Sequence, residues 1–94
     1  MIIDLHIHSH YSPDGRFSIP ELLDMFSNGD IAGLTDHETI GGWEEFQKEA
    51  TKRGIKPILG VEWFAERSKY HILSYFINGI PKQFTDFMVK RRKR

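Results

Sequence analysis

Strand-like and helix-like segments alternate along this chain, and that alternation limits its fold more than any other feature. "MIIDLHIHS" is β-branched with a period of two, the pattern of a strand. "SIPELLDMFSNG" reads as a helix over 18–29. Ser18 and Glu21 have capping-box spacing, Pro20 suits the first turn and Gly29 the C-terminal stop. "DIAGLTDH" is a short apolar strand that ends on polar residues. "TIGGWEEFQKEATKRG" supplies a second helix, with Ile40, Trp43, Phe46 and Ala50 on one face and Gly54 closing it. "KPILGVEWF" and "KYHILSYFI" are third and fourth strands, and after Asn78, Gly79 and Pro81 the segment "KQFTDFMVKRRKR" turns helical. The order β-α-β-α-β predicts an α/β layer with parallel strands. Only residues 63–69 separate Glu62 from Tyr70, too few for a parallel crossover. The third and fourth strands are therefore expected to form an antiparallel hairpin, which returns His71 to the neighbourhood of Glu62.

Ninety-four residues fit a single small domain, 1–94. A chain of this size buries about 60–65% of its unfolded surface, enough for one modest core. A net charge of +0 gives no global attraction to nucleic acid or to an anionic membrane. No apolar run approaches the ~18 residues of a membrane span. An Asp at position 4 and no basic leading region argue against a signal peptide, so a cytoplasmic location is expected. With no cysteine there is neither a disulfide framework nor a thiolate ligand, and any metal must be held by imidazole and carboxylate.

The polar residues collect where such folds place their chemistry, at the carboxyl ends of strands. The first strand carries His6 and His8 one period apart, and the loop after it carries Asp14. The second ends in Asp36 and His37, the third in Glu62, and the returning strand brings His71. Each has a plain alternative. The H-x-H pair could be a solvated edge strand, Asp14 a turn residue, Asp36 a helix cap, Glu62 a surface carboxylate and His71 a core histidine. Their common destination at one end of the sheet favours a metal site. Ser9 and Ser12 lack an independent base and are not read as nucleophiles.

"DLHIHSHYSPDG", "GLTDHETIGG", "GVE" and "HIL" resemble, in order and spacing, the motifs of the PHP (polymerase and histidinol phosphatase) family, from residue 2 to about residue 77. The resemblance implies the N-terminal portion of a distorted, TIM-like, seven-stranded β/α barrel, here in the order β-α-β-α-β-β-α. It implies a hydrolase that cleaves phosphate esters through metal-activated water with two or three divalent ions, Zn, Mn or Fe. Carried over by position, His6, His8 and Glu62 would hold one metal, and Glu62 would bridge to a second that His71 also binds. Asp14 and His37 would hold a third, with Asp36 just behind, so Glu62 and Asp36 are the catalytic candidates. The "SPDG" and "TDHET" forms look more like stand-alone phosphoesterases acting on nucleotides or short oligonucleotides than like polymerase-attached domains.

The family's further His and late Asp-x-His pair have no counterpart, since no histidine follows His71. The chain is therefore expected to be a truncated domain, or a half-module whose barrel is completed by homo-oligomerisation. His10 falls outside the matched ligand positions. "VKRRKR" at the end reads as a solvated helix terminus before it reads as a phosphate contact. Two rival functions stand beside the phosphoesterase. One is a catalytically silent metal-binding or scaffolding domain. The other is an amidohydrolase-type metallohydrolase, which also places H-x-H on its first strand but uses a lysine for which this chain has no match.

Overall fold

The computed structural model describes residues 1–64 and 71–76. The elements run β1 (Ile3–Ile7), α1 (Ile19–Leu23), β2 (Ile31–His37), α2 (Trp43–Lys52), β3 (Lys56–Phe64) and β4 (His71–Phe76). They form one mixed four-stranded sheet in the order β1-β2-β3-β4. β1, β2 and β3 are parallel, and β3 pairs with β4 antiparallel, as the short connection requires. The expected helix over 82–94, with its basic end, lies outside the described residues.

Both helices pack on one face of the sheet. Ile19, Leu22 and Leu23 from α1, with Trp43, Phe46 and Ala50 from α2, meet Ile7, Ala32, Leu34 and Val61 in the core. Burying a side chain such as Phe46 contributes about 1.5–3 kcal/mol. Trp43 keeps its one polar atom satisfied inside the core, since Nε1–H donates to the Gly60 carbonyl at 3.1 Å. Ile40 packs against this cluster too, but from the turn before α2 rather than from the helix. α2 stops as its sequence indicates: Gly54, at φ 73°, takes the left-handed conformation just past the helix.

α1 is shorter than the helix expected over 18–29. Its start is the capping box, with the Ser18 hydroxyl accepting from Glu21 N–H at 3.3 Å and Glu21 accepting from Ser18 N–H at 3.0 Å. It ends at Leu23 because Asp30 organises the following residues differently. The Asp30 carboxylate accepts from Ser27 N–H at 2.7 Å and from Ile2 N–H at 2.9 Å. These bonds hold the 24–30 segment as turns and tie it to the start of β1. Local side-chain acceptors thus displace the helical pattern that the apolar spacing suggested.

Candidate metal centre

β1 reaches its end out of step with β2. Asp4 pairs with Ala32 and Ile7 with Leu34, so three steps on β1 match two on β2. This bulge is the kind of irregularity that re-aims side chains. Ile7 stays in the core while Leu5 is half exposed, so these two do not share the common environment that strict alternation implies. His6 and His8 converge on the same atom: each Nε2 lies 2.7 Å from Glu62 Oε1. Glu62 stands in register with His37 on β2, which sets its height at the strands' carboxyl end. His37 Nε2 is 3.9 Å from the same Glu62 oxygen.

The loop after β1 closes the second half of the site. Asp14 Oδ2 lies 3.0 Å from His8 Nδ1 and 3.1 Å from His37 Nε2. His8 therefore belongs to two groups of donors, His6–His8–Glu62 and His8–Asp14–His37, each with ligand atoms within 4.8 Å of one another. Burial works to raise the Asp14 pKa. Ser12's hydroxyl and the imidazoles of His8 and His37 outweigh it and hold the carboxyl at about 2. The Glu62 side chain is only 4% exposed, while that of His6 is 51% exposed. A buried carboxylate is thus approached from the solvent side by imidazoles, an arrangement that favours a cation between them.

Three imidazoles and two carboxylates, without thiolate, fit Zn²⁺, Mn²⁺ or Fe²⁺. Ligand atoms about 2.0–2.2 Å from one ion lie roughly 3 Å from each other, close to the 2.7–3.9 Å separations found here. The donors are therefore already gathered at coordination spacing.

Asp36 sits behind this surface rather than on it. It is 1% exposed, and its oxygens accept from Ser9 N–H and Ser9 Oγ, both at 2.6 Å. It caps no helix; it anchors the first residue beyond His8. Burial raises its pKa, against the opposing pull of the Ser9 bonds. Ser9 and Ser12 are the site residues that sequence reasoning undervalued. They are fully or nearly buried and serve as hydrogen-bonding posts for the loop. The signal was present in the placement of two small hydroxyl residues, Ser9 directly after the H-x-H pair and Ser12 two residues before Asp14. His10 is exposed, with its ring against Tyr11 at 4.7 Å, and belongs to neither donor group. The backbone of His71 pairs with Phe64, two positions from the Glu62–Leu73 pair. Its side chain lies outside the described residues.

Comparison with known proteins places residues 4–89 within the profile of the PHP domain. The chain is similar to DNA polymerase III subunit alpha of Borreliella burgdorferi, 42% identical over 72 residues, covering 72% of this chain and 6% of that protein. The corresponding subunit of Saccharopolyspora erythraea is 34% identical over 88 residues, covering 89% of this chain and 7% of that protein. An error-prone DNA polymerase of Symbiobacterium thermophilum is 37% identical over 73 residues, covering 74% and 7%. The chain thus spans 6–7% of the length of these relatives. They are polymerases, not the stand-alone phosphoesterases toward which "SPDG" and "TDHET" pointed. Among the described residues no helix is long and apolar enough to cross a membrane.

Proposed function

Because the chain belongs to the PHP domain family, we propose that its histidine–carboxylate centre binds divalent transition metals and hydrolyses phosphate esters. The observation that carries this reading is the meeting of His6, His8 and His37 on the Glu62 and Asp14 carboxylates within coordination distance. Glu62 would hold a metal with His6 and His8, and its carboxylate, having two oxygens, would let it bridge to a neighbouring ion together with His71. Asp14 and His37 would hold a further ion. The chemistry supplied by bound metal is Lewis-acid activation of water and of the phosphoryl oxygens. The protein's own part is to fix the donors: Asp36 acts through Ser9, and Glu62 keeps its carboxylate out of bulk water. No side-chain nucleophile is needed. The substrate would be a phosphorylated small molecule or a short nucleic acid. A groove between β1 and α1, walled by Ile2, Leu22, Met25 and Phe26 with His6 and His8 beside them, suits its organic part.

The seven-stranded barrel belongs to the same proposal. Ile3, Leu5, Leu73 and Tyr75 remain substantially exposed on the sheet, and further strands of the domain or of a second copy would cover them. The names of the polymerase relatives support a second reading: a PHP domain that binds metal and serves a polymerase subunit without hydrolysing anything itself. Turnover separates the two. Protein reconstituted with Mn²⁺ should hydrolyse a nucleotide phosphoester, and His6→Ala with His8→Ala should abolish it. Bound metal without turnover would reject the hydrolase and retain the silent domain.

A further inference from the structure

We propose that Ser12 is a positioning residue that selects which oxygen of Asp14 faces the metal centre, and thereby governs one metal position far more than the other. This rests on the metal-binding reading above. Ser12 is 3% exposed, and every polar group it carries is engaged. Its N–H donates to the Ser9 carbonyl and its own carbonyl accepts from Gly15 N–H, both at 3.0 Å. Its hydroxyl donates to Asp14 Oδ1 at 2.8 Å and accepts from the His37 backbone N–H at 3.1 Å.

That hydroxyl joins the two elements that supply the second donor group. One side grips the loop after β1, and the other grips the last residue of β2. The Asp14 side chain is 52% exposed. A half-exposed carboxylate without a tether would rotate and present either oxygen. The Ser12 bond occupies Oδ1 and leaves Oδ2 toward His8 Nδ1 and His37 Nε2, at 3.0 and 3.1 Å. Outer hydrogen-bond partners that orient metal ligands in this way typically change metal affinity about 10–100-fold when removed. The group His6–His8–Glu62 receives no hydrogen bond from Ser12. A residue important only for folding the loop would disturb both groups together.

The test is a titration of the metal-free full chain with Co²⁺, read by ligand-field absorption and by calorimetry. Ser12→Ala should weaken one class of bound ion about 10–100-fold and the other much less, since the two donor groups share only His8. The weakened class should be the one lost in Asp14→Asn, and Ser12→Thr, which keeps the hydroxyl, should restore it. Should Ser12→Ala fail to fold, Ser12→Cys carries the same expectation, since a thiol is a weak donor and acceptor of similar size. Equal weakening of both classes, or of neither, overturns the role of Ser12 while leaving metal binding intact. No Co²⁺ bound by the wild-type chain overturns both.

Discussion

Replacing Asp36 by alanine removes the acceptor of two bonds, from Ser9 N–H and Ser9 Oγ, each at 2.6 Å and both buried. Hydrogen bonds to a charged group contribute about 1.5–3 kcal/mol each, so the gross loss is about 3–6 kcal/mol. Part returns because a carboxylate buried to 1% exposure no longer has to be kept from water. The expected net loss is about 2–4 kcal/mol, read as a lower urea midpoint in metal-free protein. Asp36→Asn keeps one acceptor of the same shape and should lose about half as much. The pH dependence has a definite sign. Burial raises the folded pKa of Asp36 above its ordinary 3.8. Its contribution is therefore complete below 3.8 and erodes as pH rises through the raised value. The stability gap between wild type and Asp36→Asn should widen on acidification toward 3.8. A loss below about 0.5 kcal/mol for Asp36→Ala would refute the view that Asp36 anchors the loop.

Leu23 is fully buried beneath α1, so Leu23→Ala should cost about 2–5 kcal/mol in the same titration. A Cβ at Gly15 would lie 1.7 Å from the Ser9 carbonyl oxygen; Gly15→Ala should displace the loop, lower the melting temperature and weaken the proposed metal position at Asp14. Asp14 titrates with the opposite sign to Asp36. With its pKa held at about 2 against an ordinary 3.8, its contribution is present above 3.8 and is lost as pH falls toward 2. The advantage of metal-free wild type over Asp14→Asn should vanish over that interval.

The strand order was legible because each apolar run was bounded by turn chemistry, and the hairpin because residues 63–69 are too few to cross the sheet. The gathering of the candidate donors was legible for the same reason: residues at the carboxyl ends of parallel strands share one end of the layer, where His6, His8, His37 and Glu62 come together. What escaped was local. The early end of α1 depends on the Asp30 side chain bonding to Ser27 and Ile2, and nothing in a hydrophobic period reports such a bond. The bulge in β1 escaped too, since alternation alone assigns Leu5 and Ile7 the same surroundings. The buried serines were missed because they were weighed only as nucleophiles. Their work is to hold Asp36, Asp14 and the His37 backbone in place.

Glu62 lies at the centre of the account, 2.7 Å from both His6 and His8, with its side chain almost wholly buried. Metal content per chain, measured after reconstitution with Zn²⁺ or Mn²⁺ for wild type and Glu62→Gln, tests that centre directly. The wild-type chain should retain one or more equivalents. Glu62→Gln should lower the binding of two ions together, because on the proposed reading one carboxylate would serve both, whereas His71→Ala should remove mainly one. Wild-type stoichiometry and affinity in Glu62→Gln would contradict the proposed metal centre.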